Sequence, residues 1–201
     1  MRITEQHGTM YEFKQSLLDH GYKFKYLHES LCYMPKEKEI IVPIVMEYFR
    51  KSRIVDDREE LLHWLYFKGL DKAAPLLIEE FKTNSLNGNE NYRWKIADTL
   101  YKIKCPKYKS DYLEMIQNKD YGMSRQMIVL LLGSIKCFEA VPILLQQLPD
   151  EDVTLHAINS IGKLGGMECI PALENYMDSP RSVIRKETKK AIERIRKNCH
   201  D

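Results

Sequence analysis

The strongest signal in this sequence is a repeat of about 32 residues. Each copy opens with a basic or polar residue and continues with apolar residues at helical spacing. The opening residues form a column with steps of 35, 32, 29 and 31 residues, made up of Arg58, Arg93, Arg125, Thr154 and Arg185. One repeat of this length cannot bury a core alone, so we expect successive copies to stack.

Two further columns of apolar residues follow the opening residue of each copy. Seven residues on stand Leu65, Leu100, Leu132, Ile161 and Ile192. Ten residues on stand Ile103, Ile135, Leu164 and Ile195. Spacings of seven and ten place side chains on one face of an α-helix. Each copy is therefore predicted to begin with an amphipathic helix that buries this face.

A column of prolines marks a second helix in most copies, each just before an apolar run: Pro43, Pro75, Pro142 and Pro171. Ser110 stands at the equivalent place in the copy that lacks the proline. Proline is tolerated in a first helical turn because its missing N–H would be unpaired there anyway. We therefore predict an all-α fold, a right-handed α-solenoid of about five to six helix pairs.

The two ends of the chain depart from the repeat. Met10 to His20 predicts one amphipathic helix, and residues 1–40 are interpreted as an atypical N-terminal helical cap before repeats over 41–180. Residues 181–201 carry eight Lys or Arg against three Asp or Glu, a net charge of +5. Subtracting this from the overall +2 leaves −3 for the rest. This segment is predicted to be a basic capping helix of one continuous domain, with nucleic-acid binding as the alternative.

Composition excludes several classes of function. Charged residues are 30% of the chain, and no run of eighteen apolar residues occurs, so no membrane association is expected. The N-terminus lacks the apolar core of a secretion signal, which predicts a cytoplasmic protein. The five cysteines contain no C-x-x-C pair and the six histidines are dispersed, so we expect free thiols and no metal. No Gly-rich phosphate loop occurs, and no cofactor is predicted.

The repeat resembles the bacterial HEAT repeats of the phycobilisome-lyase type. The matching features are the pairs Leu132-Gly133 and Ile161-Gly162, Asp178 with Arg185, and the prolines Pro142 and Pro171. The resemblance covers residues 40 to 198 and implies a HEAT-like solenoid. Similar arrays serve as adaptors, scaffolds, immunity proteins and, less often, lyases. Because no catalytic motif accompanies it, the solenoid architecture predicts a non-enzymatic protein-interaction module that binds a protein or peptide partner.

A binding ridge is one interpretation of the tyrosines and arginines near the repeat starts. Tyr and Arg often dominate interfaces, and the ridge would comprise Tyr92, Arg93, Tyr121 and Arg125, with Gln126 beside Arg125 as a further candidate binding residue. The alternative is ordinary packing, in which the recurrent arginines staple neighbouring units through loop carbonyls or through loop aspartates. The aspartates placed for that role are Asp57, Asp120, Asp152 and Asp178.

A second candidate site resembles that of the HEAT-like alkylpurine DNA glycosylases, whose Trp, Asp and Arg hold a damaged nucleotide. Here Trp94 and Asp98 share a helix face at i, i+4, and Arg125 follows. The resemblance implies stacking on the base and a carboxylate that stabilises positive charge. The slightly acidic charge before residue 181 argues against a DNA enzyme. His156 stands where Met127 stands one copy earlier, and we expect it in the interior or at a groove edge.

Overall fold

The protein is all-helical over residues 8–84 and 90–198, the parts of the chain that the computed structural model describes, and these residues contain no β-strand. The helices are α1 (Thr9–Asp19), α2 (Met34–Lys51), α3 (Val55–Leu65), α4 (Ala74–Thr83), α5 (Glu90–Ile103), α6 (Lys109–Gln117), α7 (Arg125–Ser134), α8 (Val141–Gln146), α9 (Thr154–Leu164), α10 (Ile170–Glu174) and α11 (Ser182–Asn198). Short 3-10 turns precede several of them.

The chain divides into two compact units, Met1–Ile103 (unit 1) and Lys104–Asp201 (unit 2). The boundary falls directly after α5. Residues of the predicted cap and of the predicted repeats both belong to unit 1. The predicted limits at residues 40 and 180 are not tested by this division and stay predictions. Residues 1–7 and 199–201, with Cys199 among them, lie outside the described parts.

Most of the predicted second helices begin where the proline column places them. Pro75, Pro142 and Pro171 each stand in the first turn of their helix, α4, α8 and α10 respectively. Ser110 stands in the first turn of α6, which begins at Lys109. These starts are confirmed, and the reason is local, since the first turn has backbone N–H groups without helical partners.

Pro43 is the exception, and the predicted helix start there was wrong. Pro43 lies in the interior of α2, which already begins at Met34. The side chain of Pro43 is exposed, while Ile41, Val42, Ile44 and Val45 around it are buried. Burial of this apolar stretch is able to outweigh the backbone hydrogen bond that an interior proline removes.

The apolar columns are buried as predicted. All five residues of the +7 column are buried in the structure. In the +10 column Ile103, Leu164 and Ile195 are buried, whereas Ile135 follows the end of α7 and is only half-buried. The predicted helix Met10 to His20 is also confirmed as α1, whose Phe13 and Leu17 point into the core of unit 1.

The core of unit 1 is aromatic where its first helices meet. α1 packs on α2, α2 on α3, and α5 contacts both α3 and α4. The Phe13 ring lies 5.1 Å from the Trp64 ring in an edge-to-face arrangement and 5.6 Å from the Tyr48 ring. Such aromatic contacts join α1, α2 and α3.

In unit 2, the first helices of successive repeats, here called the opening helices, pack directly against one another. α7 contacts α9 and α9 contacts α11, while the short helices α8 and α10 pack on the helices that follow them. A Cβ added at Gly133 would come within 2.7 Å of Ser160 Oγ, and one at Gly162 within 2.7 Å of Ala191 Cα. These glycines, which belong to the pairs that carry the resemblance, allow the helix backbones to approach closely.

Two further expectations concern the whole described part of the chain. Within residues 8–84 and 90–198, no helix combines the length and the apolar character needed to cross a bilayer. Four of the cysteines, Cys32, Cys105, Cys137 and Cys169, carry free thiols as predicted. Cys105, Cys137 and Cys169 are buried, in accordance with a packing role.

Candidate functional site

A groove of about 350 Å³ opens between α3 and α5 in unit 1. Its size lies within the range of ligand-binding pockets. The residues that line it are Glu59, Leu62, His63, Tyr66, Trp94, Lys95, Asp98 and Thr99. We call this feature the α3–α5 groove. It contains two of the predicted site residues, Trp94 and Asp98.

Helical spacing explains why these side chains face each other. On α5, Trp94 and Asp98 are four residues apart and therefore share one face. On the α3 side, Glu59, Leu62, His63 and Tyr66 follow at steps of three, one and three residues, which again describes one face. Contact between the two helices brings both faces to one groove.

Asp98 is the most distinctive group in the groove. Its carboxylate is half-buried in the groove that Tyr66 also lines. Burial raises the pKa of Asp98 above its ordinary value, although the Tyr66 hydroxyl and the nearby Lys102 charge act in the opposite direction. The carboxylate therefore carries a desolvation cost that its present neighbours do not fully offset.

Tyr66 contributes an aromatic wall beside Asp98. Burial, followed by the Asp98 carboxylate, raises the pKa of the Tyr66 phenol, which therefore stays protonated and able to donate at neutral pH. The Lys102 ammonium lies 5.3 Å from the centroid of the Tyr66 ring. This distance allows a cation–π interaction.

The rim of the groove is charged. Lys95 and Glu59 form an ion pair between α5 and α3. Nearby, His63 Nδ1 lies 3.5 Å from a carboxylate oxygen of Glu60, and both side chains are substantially exposed. Two carboxylates, Glu59 and Asp98, therefore line the groove, and the one lysine among its lining residues is paired with Glu59.

Tyr92 and Arg93, predicted as half of a binding ridge, make interior contacts in unit 1. Tyr92 is fully buried, and its hydroxyl donates to Glu80 Oε1 at 3.1 Å. Burial strongly raises the pKa of this phenol. Arg93 is half-buried, and its Nε donates to the Phe81 carbonyl at 3.1 Å. Packing therefore accounts for the positions of both side chains.

Arg125 and Gln126 staple a loop in unit 2. The guanidinium of Arg125, only 1% exposed, donates from Nε to the Gly122 carbonyl at 3.0 Å. It also pairs with Asp150 at 3.0 Å and with Asp152 at 3.5 Å. Gln126 Nε2 donates to the Asp152 carbonyl at 2.8 Å. The stapling interpretation is confirmed for Arg125 with Asp152.

The other arginines of the column follow the same principle with different partners. Arg58 pairs with Glu80 at 2.6 Å, whereas Asp57 accepts a hydrogen bond from Ser52 Oγ. Arg185 Nη1 donates to the carbonyls of Ser179 and Pro180, at 2.6 and 3.1 Å. Loop carbonyls, anticipated as one option, thus serve as acceptors at Arg185.

Tyr121 and His156 complete the predicted set and lie in unit 2. Tyr121 is half-buried in the 3-10 turn before α7. His156 is a half-buried residue of α9, and its Nδ1 has no hydrogen-bond partner among the described residues. Burial lowers the pKa of His156 below its usual value, so the ring is held neutral. This position fits the expected interior histidine.

The structure thus brings together Trp94 and Asp98, and it adds Tyr66, His63 and Glu59, which the sequence interpretation missed. Arg125 belongs to unit 2, where Asp150 and Gly122 occupy its guanidinium. Tyr66 was detectable in principle, because it stands seven residues after Glu59 and four after Leu62, which is the spacing of one helical face. Its importance follows only from the contact of α3 with α5.

Comparison with protein-family models and with curated proteins found no match for this chain. The resemblance to HEAT repeats therefore stays a prediction from the sequence.

Proposed function

We propose that this protein is a non-enzymatic, cytoplasmic protein-binding module built as a HEAT-like α-solenoid, and that its α3–α5 groove receives a segment of a partner protein. The observation that carries the proposal is the grouping of Trp94 and Tyr66 around the half-buried Asp98 carboxylate in one open groove. Aromatic side chains in partly desolvated surroundings are the residues that most often dominate protein interfaces.

The packing of unit 2 supports the repeat architecture of this proposal. Its opening helices α7, α9 and α11 contact one another in succession, and glycines at the same place in successive copies allow close approach. Regular stacking of this type is typical of repeat proteins, whose extended surfaces bind proteins and peptides. The buried Arg125 supports the same view, because it joins the start of α7 to the loop before α9.

Partner capture with matched variants tests the proposal. Tagged full-length wild type, Trp94→Ala and Phe138→Ala are each used to isolate proteins from the native cell. Phe138 is 58% exposed in unit 2 and does not line the groove, so its variant controls for general loss of apolar surface. We expect a stoichiometric protein with wild type and Phe138→Ala, and its loss with Trp94→Ala. Equal capture by all three, or none by wild type, contradicts the proposal.

A nucleic-acid enzyme of the alkylpurine glycosylase type is the second candidate, favoured by the presence of Trp94 and Asp98 in one groove. Against it, the Arg125 guanidinium is occupied by Gly122 and Asp150 rather than presented to a ligand. Release of an alkylated purine from duplex DNA by wild type, together with its loss in Asp98→Asn, would establish this activity in place of the first proposal.

The basic helix α11 offers a third, simpler way to bind nucleic acid. Its exposed cations are Lys186, Lys189, Lys190, Arg196 and Lys197. Binding through such a face requires affinity for duplex or single strands that falls steeply with salt. Measurement of that affinity at two salt concentrations separates this candidate from the groove-based proposal.

A further inference from the structure

We propose that the α3–α5 groove recognises an arginine side chain, presented by an exposed segment of another protein, through an ion pair with Asp98 and stacking on Trp94. The inference rests on the proposed protein-binding function and specifies the chemistry of the partner. The charge of the groove, its aromatic rings and its opening to solvent each favour an arginine ligand.

The charge of the groove favours a cation. The groove is lined by two carboxylates, Glu59 and Asp98, and by one ammonium, that of Lys95. Lys95 is paired with Glu59, and the charge that acts on Asp98 is that of Lys102, an exposed residue outside the groove lining. A buried or half-buried carboxylate is stabilised when a cation with good hydrogen-bond geometry reaches it.

The aromatic walls favour the same ligand. The Lys102 ammonium already lies over the Tyr66 ring, which shows that this face is reached by a cation. Lys102 is exposed and four residues beyond Asp98, so a ligand cation competes with a surface side chain. Trp94 lies on the same face of α5 as Asp98 and provides a second, larger aromatic ring in the groove.

Arginine fits these features better than lysine. Its guanidinium is planar, so one ligand can both stack on an indole and donate two parallel hydrogen bonds to a carboxylate. It is also more weakly hydrated than an ammonium and enters a partly desolvated site at lower cost. The groove is partly open to solvent, so a side chain presented by another protein can enter it.

The two tryptophans of the chain provide a direct readout. The full chain, labelled with ¹⁵N, gives one indole N–H signal each for Trp94 and for Trp64, and Trp64 is fully buried at 0% exposure. The probes are three peptides, acetyl-Gly-Ser-X-Ser-Gly-amide, in which X is arginine, lysine or citrulline. Citrulline has nearly the shape of arginine but no charge. Assignment of the signals uses Trp94→Phe.

We expect the arginine peptide to shift the Trp94 signal saturably and to leave the Trp64 signal unchanged. The lysine peptide should bind more weakly, and the citrulline peptide should cause no saturable shift. Asp98→Asn should weaken arginine binding by about tenfold, because the charged acceptor is lost. Lys102→Met should strengthen it by a few fold, because a competing cation is removed. Phe138→Ala should leave it unchanged.

Several outcomes overturn the inference: no shift of the Trp94 signal by the arginine peptide, an equal shift by citrulline, or unchanged affinity in both Asp98→Asn and Lys102→Met. Lys102 is exposed, so its variant remains informative if Asp98→Asn fails to fold. Self-association that Asp98→Asn abolishes would assign the groove to a second copy of the chain. If Trp94→Ala loses a captured protein while the arginine peptide does not bind, the inference fails and the proposed function stands.

Discussion

Arg58 in unit 1 and Arg125 in unit 2 occupy the same position of the repeat, yet they are neutralised in different ways. Arg58 is 3% exposed and pairs at 2.6 Å with Glu80, a buried residue of α4. The same Glu80 carboxylate also accepts the Tyr92 hydroxyl of α5. Arg125 is equally buried, but Asp150 and Asp152 come from a loop, and the Asp152 side chain is 45% exposed.

The same position in the repeat therefore does not imply the same contribution to stability. In unit 1 both charges lie away from water, so each depends on the other for compensation. In unit 2 water reaches the aspartates and can compensate for part of a lost contact. The two units also differ in how their helices pack. In unit 2, Gly133 and Gly162 lie at helix contacts, whereas a Cβ at Gly8, Gly21 or Gly69 of unit 1 would meet nothing within 4 Å.

The largest effect is expected when the buried pair of unit 1 is broken. Glu80→Ala leaves the Arg58 guanidinium buried without its carboxylate, and the free energy of unfolding should fall by about 3–5 kcal/mol. Both tryptophans, Trp64 and Trp94, lie in unit 1, so urea unfolding followed by their fluorescence reports this unit. Glu79→Ala, on the exposed side of α4, is the matched control, with a change within about 0.5 kcal/mol. Similar losses in both variants would show that Glu80 contributes no more than a surface acid.

The next largest loss of stability is expected when a side chain is introduced where two helices of unit 2 approach closely. In Gly162→Val, the new Cβ would lie 2.7 Å from backbone and side-chain atoms of Ala191, so α9 and α11 must separate. We expect a loss of about 2–3 kcal/mol, measured by urea unfolding with far-UV circular dichroism. Gly133→Val should cost less, because the nearest atom there is the Ser160 hydroxyl oxygen rather than backbone, and the cost includes disturbing its hydrogen bond to the Val129 carbonyl. An unchanged unfolding midpoint in Gly162→Val would refute the contact.

The ion pairs of Arg125 with Asp150 and Asp152 in unit 2 should contribute less to the free energy of unfolding than the buried Arg58–Glu80 pair of unit 1, and they should differ from each other. Asp150→Ala should destabilise the protein by about 1 kcal/mol, since its mostly buried carboxylate bonds to Arg125 at 3.0 Å. Asp152→Ala should cost no more than about 0.5 kcal/mol, because its side chain is largely hydrated. The same circular dichroism measurement applies. A loss for Asp150→Ala as large as that for Glu80→Ala would remove the distinction between the two units.

The smallest effect concerns pH. Two residues after the opening residue of each copy, unit 1 has Glu60 and Lys95, and unit 2 has Met127, His156 and Glu187, so His156 is the one residue of this column that titrates near neutral pH. Burial lowers the pKa of His156, so the folded state favours the neutral ring more than the unfolded state does. Its contribution is complete above the unfolded pKa of about 6.5 and is lost as pH falls below that value through the folded pKa. Unfolding free energies at pH 7 and pH 5 should therefore differ less in His156→Met than in wild type; identical differences would contradict this assignment.

Several features were predictable because they depend on neighbours in sequence. The spacing of Leu65, Leu100 and Leu132 predicts a buried helical face, and all three residues are buried. Pro75 predicts the start of α4 because a first turn has N–H groups to spare. Pro43 has the same local sequence signal but lies within α2, where the apolar stretch on both sides of it is buried against the rest of unit 1.

The candidate site was only partly predictable. The shared face of Trp94 and Asp98 follows from a separation of four residues, which is a helical property. That Tyr66 and Asp98 line one groove does not follow, because Tyr66 comes directly after α3 whereas Asp98 lies in α5. Likewise the column of arginines predicts staples, but nothing in the spacing selects Glu80 over Asp57 as the partner of Arg58.

The amino-acid sequence by itself determined the all-α class, the buried face of each opening helix and the starts of α4, α6, α8 and α10. These properties depend on the periodicity of the chain and on the chemistry of single helical turns. Only the tertiary structure decided the division into two units, the carboxylate that neutralises each buried arginine, and the groove between α3 and α5. These depend on which helix faces meet, and that choice is made by packing among residues far apart in the chain.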